Sequence, residues 1–275
     1  MRKHALVAAL CAGLMVTGSS AVAWAADDRP ETTWQSIQGD IFNKTEFLNG
    51  ENMMVLDAPY RAEDAAIVPI SVKVQPGMKV KKVTVVIDEN PAPMAAQFTF
   101  GPAAANASVS SRYRINNYSW VRAIAETEDG KQYMVKKFVK ASGGCSAPAT
   151  KDADAAKALM GKMKFRVFQA GETKVLEQSS GVREAQIMIR HPNNSGLQMD
   201  QVTMLHIPAH FVDMIEVKRG DDLVLKVEGG ISLSEDPNIR FYYNAAGKGD
   251  FTVNATDTDG QKFTHSWPAG DDQSG

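Results

Sequence analysis

Val68-Pro69-Ile70-Ser71-Val72-Lys73-Val74 alternates apolar and other residues without a break. That period of two is the mark of a half-buried strand rather than a helix. Pro69 cannot donate to a ladder, so it belongs at an edge or on a side without a partner. Outward from this stretch the pattern repeats. Val83, Val85 and Ile87 alternate, as do Ala96, Phe98 and Phe100. Turn signals separate them at Gln75-Pro76-Gly77, Glu89-Asn90-Pro91 and Gly101-Pro102. Two further strands, Trp120 to Ala125 and Gln132 to Val139, close on the hairpin signal Asp129-Gly130. Upstream, Trp34, Ile37, Ile41 and Phe42 fall on one helical face, with Thr33 as a candidate N-cap.

A second set of strands follows, centred on Phe165 to Phe168, Ala185 to Ile189, Met204 to Ile215, Leu223 to Val227, Ile239 to Tyr243, Phe251 to Ala255 and Phe263 to Trp267. Its last hairpin, Ala255 to Gly260, resembles the first half's Ala125 to Gly130, as two related modules would. Short strands with closely spaced turns predict an all-β protein of two immunoglobulin-like β-sandwich domains. The expected bounds are 33–141 and 163–269, with a short helix at the start. Residues 142–162, rich in Gly and Ser and then in Ala, Lys and Asp, read as a Gly/Ala-rich linker holding a short, weakly packed helix.

The chain opens Met1-Arg2-Lys3-His4, runs apolar from Ala5 to Val16 and reaches Ala23-Trp24-Ala25. A basic start, a short apolar run and an Ala-x-Ala site predict a signal peptide over 1–25 and a periplasmic mature protein. The apolar run falls short of the roughly 20 residues that span a bilayer. Leu10 before Cys11 is too large for a lipoprotein site. A formal net charge of -2 gives no electrostatic footprint for nucleic acid.

Of the two cysteines, Cys11 lies in the predicted signal, which leaves Cys145 without an intramolecular partner. An odd thiol in an oxidising compartment suggests a reactive or intermolecular role. Cys145 sits in Ser142-Gly143-Gly144-Cys145-Ser146-Ala147-Pro148, a poor sequence for a core. Gly143 and Gly144, flanked by Ser142 and Ser146, predict a mobile, reachable arm. The nearest charges in sequence are Lys140 and Lys151, so the thiol is expected near its ordinary pKa of about 8.5. No base adjoins it as an enzyme nucleophile would require. The expectation is a carrier whose chemistry comes from its partners, with neither catalysis nor a cofactor of its own.

These residues resemble the SoxY and SoxZ carrier proteins of bacterial sulfur oxidation, here in one chain. The SoxY-like elements are Ala58-Pro59-Tyr60-Arg61 through Ile70 and the Gly-Gly-Cys sequence. The SoxZ-like elements are Ile189-Arg190-His191-Pro192, Ser195-Gly196-Leu197, Ile207-Pro208-Ala209-His210-Phe211, Gly229-Gly230-Ile231-Ser232 and Gly247-Lys248-Gly249-Asp250. The resemblance implies a sulfur adduct on Cys145, presented on a swinging arm to periplasmic redox enzymes, with the second half as binding companion of the first. Fused versions resemble a group associated with c-type cytochromes and PQQ-dependent quinoprotein dehydrogenases. Such carriers end on Gly-Gly-Cys-Gly-Gly; here Ser146-Ala147-Pro148 follows the cysteine and the chain continues, tethering the loop at both ends.

His206 and His210 stand four apart, with His191 upstream and Met199, Met204 and Met214 nearby, the residue types of a copper site. Pro208 opposes a helical pairing of the two, so no metal centre is expected; His206 and His210 are the candidates if one forms. Ser142, Ser146 and the histidines assemble no legible triad. Glu63 and Asp64 read as a solvated turn, and Arg61 and Arg190 as ion-pair partners that could instead take an anionic sulfur group. A second function class stays open: a non-covalent periplasmic adapter of a quinoprotein dehydrogenase, in which Cys145 is incidental.

Overall fold

The computed structural model describes residues 31–43, 46–148, 153–168 and 181–268. The predicted signal peptide, Cys11 and part of the predicted linker lie outside them. The first half contributes helix α1 (Thr32–Phe42) and strands β1 (Leu48–Asn49), β2 (Met54–Asp57), β3 (Val68–Val74), β4 (Val80–Ile87), β5 (Met94–Phe100), β6 (Ala104–Tyr113), β7 (Ser119–Thr127) and β8 (Gln132–Val139). After helix α2 (Ala153–Leu159) come β9 (Met163–Val167), β10 (Val182–Ile189), β11 (Val212–Arg219), β12 (Asp222–Gly229), β13 (Asn238–Asn244), β14 (Phe251–Asp257) and β15 (Lys262–Trp267).

The strands form two sheets, and each runs through both halves. The larger has the order β1-β8-β7-β4-β5-β12-β11-β14-β15; the smaller has β2-β3-β6-β13-β10-β9. Apart from the extra edge strand β1, each order mirrors itself about one junction. Antiparallel pairing of β5 with β12, Ala96 opposite Gly229 through Phe100 opposite Leu225, joins the halves in the first sheet. Pairing of β6 with β13, from Arg240 opposite Ser110 to Tyr243 opposite Ala104, joins them in the second. The protein is thus two immunoglobulin-like sandwiches laid edge to edge. Each shields the edge strands that the other would leave open.

The alternation in the sequence becomes burial. Val68, Ile70, Val72 and Val74 of β3 are all buried and share one apolar core with Val83, Phe98, Ile187, Val217, Phe241 and Val253. Pro69 pairs opposite Arg112 of β6, while β2 reaches only Ser71 to Val74 of the same strand. The missing N–H of Pro69 therefore falls where β3 has no second neighbour. Helix α1 packs Trp34 against Val86 and Ile124 in a separate small cluster with Phe42 and Phe47. Its first turn begins at Thr32, one residue before the Thr33 cap expected. Beneath Trp34, Arg122 and Asp88 form a fully buried ion pair at 2.8 Å, and the Arg122 guanidinium lies 4.4 Å from the Trp34 ring centre.

The expected strand from Met204 to Ile215 is corrected. Only Val212 onward enters the sheet; residues 197–211 form an excursion with two isolated bridges, Asn194 to His210 and Met199 to His206. Met204 adopts φ 57°, and Pro208 interrupts any ladder. Val202, Met204 and Leu205 are exposed at its tip.

Candidate functional site

Cys145 lies where the two halves meet. Its segment leaves β8 and makes a tight turn, with the Ser146 N–H donating to the Gly143 carbonyl at 3.2 Å. Gly143 takes φ +78°, a conformation that side-chain-bearing residues rarely adopt. The turn is seated rather than loose. Gly143 N–H donates to the Asn116 carbonyl at 2.8 Å and Gly144 N–H to the Ile115 carbonyl at 3.0 Å. From the second half, Ser195 Oγ donates to the Cys145 carbonyl and Gln198 Nε2 to that of Ala147 at 3.1 Å.

In this arrangement the thiol expected to be reachable is covered. Cys145 is 0% exposed, while Ser142 and Ser146 on either side face solvent. Gly144 has a packing role. A Cβ there would lie 2.0 Å from the Ala65 carbonyl oxygen and 2.7 Å from that of Ile115. Ala65 belongs to the same Ala58–Ile70 segment that carries the SoxY-like motif.

The thiol's electrical surroundings also differ from those expected. Burial pushes the Cys145 thiol up to about 11, with the positive charge of Arg114 acting in the opposite direction. Arg114, just past the end of β6, is 2% exposed. Its Nη1 donates to the Gly144 carbonyl at 3.4 Å and its Nη2 to that of Asn193 at 3.3 Å. Both bonds are long for a guanidinium. Among the described residues its Nε has no hydrogen-bond partner, and burial lowers its pKa. Among the described residues no carboxylate makes an ion pair with Arg114. Cys145 belongs to neither apolar cluster.

Motifs from both halves build the seat. Arg114 N–H donates to the Ser232 carbonyl at 2.7 Å. Asn90 Nδ2 spans the seam, donating to the Arg114 carbonyl at 2.8 Å and to Ser232 Oγ at 2.9 Å. Ser234 Oγ donates to the Ala66 carbonyl at 2.7 Å. Sequence reasoning missed Arg114, Asn116 and Gln198. Arg114 follows a strand of small residues, and nothing local marks it as buried.

The histidines assemble differently from expectation. His210 Nε2 lies 2.8 Å from Asp257 Oδ2, and the second ring on that carboxylate is His191, 3.4 Å away. These three are the metal-like group among the described residues; His206 is exposed on the excursion. The Asn193 N–H donates to His191 Nδ1 at 3.0 Å. A neutral His191 therefore carries its proton on Nε2 and donates it to Asp257. That tautomer leaves no lone pair on Nε2 for a metal, so the cluster fits a structural hydrogen-bonded unit. Burial and the neighbouring His210 hold His191 below the usual imidazole range. Arg190 is paired with Asp236, and Asp64 accepts the Ala66 N–H at 2.7 Å, closing a turn. Neither arrangement forms an anion site.

The model of the SoxY sulfur oxidation protein family matches residues 38–145, ending on Cys145. That of the SoxZ sulphur oxidation protein family matches residues 173–268. The sulfur carrier protein SoxY from Chlorobium limicola f thiosulfatophilum is similar at 20% identity, over 40% of this chain and 92% of that one, with a TM-score of 0.33. No curated protein sequence matches the chain. The chain belongs to the SoxY and SoxZ families at once, as a fused SoxYZ-like protein with its SoxY region first and its SoxZ region second.

Proposed function

We propose that this protein is a periplasmic carrier that holds a sulfur-containing intermediate covalently on Cys145 and presents it to partner redox enzymes. One observation carries the reading. The thiol is buried at the tip of a turn whose backbone is hydrogen-bonded by residues of both halves. A cysteine used as core filler would be gripped by aliphatic side chains. One held through its backbone can be let go as a unit.

Carriage then requires an opening step, because a thiol at 0% exposure meets no reagent. Tethering at both ends limits the excursion to a hinged loop that brings Cys145 to the surface. The N-terminal sequence supports export, and the family supports partners among c-type cytochromes or a quinoprotein dehydrogenase. Loading and unloading of the thiol are assigned to the partners, in keeping with a sequence that places no base beside Cys145.

Burial of Cys145 also favours a second reading, a non-covalent adapter in which the thiol is incidental. A Cys145→Ser variant in producing cells separates the two. Loss of sulfur-compound oxidation, at unchanged protein level and melting temperature, supports the carrier. Full activity with serine at 145 refutes it.

A further inference from the structure

We infer that Arg114 is the counter-ion for an anionic group carried on Cys145, making it the residue that selects a charged cargo over a neutral one. The inference rests on the carrier reading. A fully buried guanidinium without a carboxylate is costly, since a buried charge needs a partner or strong hydrogen bonds. Arg114 has two carbonyls at 3.3 and 3.4 Å and a bare Nε. One of those carbonyls belongs to Gly144, the residue before the thiol, so the cation is placed at the turn itself. The negative charges of Glu235 and Asp64 act on Arg114 through their fields.

The bare thiol does not meet this need. It is neutral at physiological pH, its titration lying at about 11. A terminal sulfur oxyanion on Cys145 would bring a permanent negative charge to the same place. Charge-assisted bonds from a guanidinium to such oxygens are shorter and about twice as strong as neutral ones. A loaded cysteine needs more room than a bare one, so the loaded turn sits higher, with Arg114 exchanging its long carbonyl bonds for the oxyanion. The empty arm is then the strained partner and the loaded arm the satisfied one.

Two adducts made on the full chain at pH 8.5 test this. The Cys145 thiolate attacks a central sulfur of tetrathionate; the S–S bond breaks, thiosulfate leaves with the electron pair, and Cys145 gains a thiosulfonate group. Methyl methanethiosulfonate gives instead the neutral methyl disulfide, with methanesulfinate leaving. Release of each adduct by a small thiol is followed by intact mass. Each rate is divided into that of the same adduct on Gly144→Ala, whose turn cannot seat.

In the native-sequence protein the expected protection of the anionic adduct exceeds that of the neutral one by tenfold or more. Arg114→Lys keeps part of the difference and Arg114→Met loses it. Equal protection of the two adducts overturns the inference even where Arg114→Met does not fold. So does an Arg114→Met protein that folds and still protects the anionic adduct better. Charge selectivity intact, but Cys145 unmodified in protein taken from producing cells, removes the carrier reading alone. A native adduct with equal protection removes the counter-ion alone.

Discussion

Replacing Gly144 by alanine should expel the turn from its seat and expose Cys145. The added methyl would stand 2.0 Å from the Ala65 oxygen and 2.6 Å from its carbonyl carbon. Both are backbone atoms, which cannot rotate away as a side-chain end can. Among the described residues, five hydrogen bonds tie the turn to its surroundings, through Asn116, Ile115, Arg114, Ser195 and Gln198. At about 1 kcal/mol net each, they contribute roughly 5 kcal/mol. Freeing two residues at about 1.5 kcal/mol each in backbone entropy returns roughly 3 kcal/mol. The seated state is then favoured by about 2 kcal/mol, so the native-sequence protein opens a few per cent of the time or less. In Gly144→Ala the turn is always open. Alkylation of Cys145 by iodoacetamide at pH 8, followed by intact mass, should accelerate by roughly 30-fold. The thiol titration should fall from about 11 toward the free value of about 8.5. A hinge that works by flexibility would respond the other way, since alanine stiffens it. Gly144→Ala labelled at or below the native-sequence rate refutes the reasoning.

Three further outcomes follow from the same geometry. Ser195→Ala or Gln198→Ala removes one bond each from the turn, so either should raise the alkylation rate about three- to tenfold. An unchanged rate in both would mean that the SoxZ-like half does not restrain the turn. Arg122→Met strands the buried Asp88 carboxylate and should cost about 3–5 kcal/mol in chemical denaturation; Asp88→Asn combined with it should recover much of that loss. The melting temperature should fall by a few degrees between pH 7 and pH 5. His191 is held below its ordinary range by burial and by His210, so the stability it contributes is complete above about 6.5 and is lost as pH falls through its folded value. A His191→Gln protein, less stable at pH 7, should show a flatter slope across that window.

Much of this fold was legible because its strands carry branched residues at alternate positions. β3, β4, β10, β13 and β14 all bury the alternating residues that predicted them. β6 escaped, although it is central to the smaller sheet. It presents Ala107, Ser108 and Ser111 along with Val109 and Tyr113, and small residues carry little hydrophobic contrast. The pairing of β5 with β12 and of β6 with β13 leaves no local trace, since it joins segments more than 100 residues apart.

The site was legible in identity and illegible in state. Cys145 stood out by its solitude and its neighbours. Gly143-Gly144 has two physical meanings, conformational freedom and absence of bulk, and a sequence does not say which operates. At Gly144 the absence of bulk decides, because Ala65 occupies the space a side chain would need. Arg114, 30 residues upstream of Gly144, reaches the turn only through the fold of the first half, and Gln198 only when the second half closes on it.

The central claim is that Cys145 carries a covalent group and is covered between deliveries. Protein purified from producing cells under acid quench, digested and analysed by mass spectrometry over the peptide containing Ser142–Pro148, tests it most directly. The account predicts a fraction of Cys145 bearing a sulfur-containing adduct that a reducing thiol removes. Cys145 found only as the free thiol, in cells actively oxidising the sulfur compound, contradicts it.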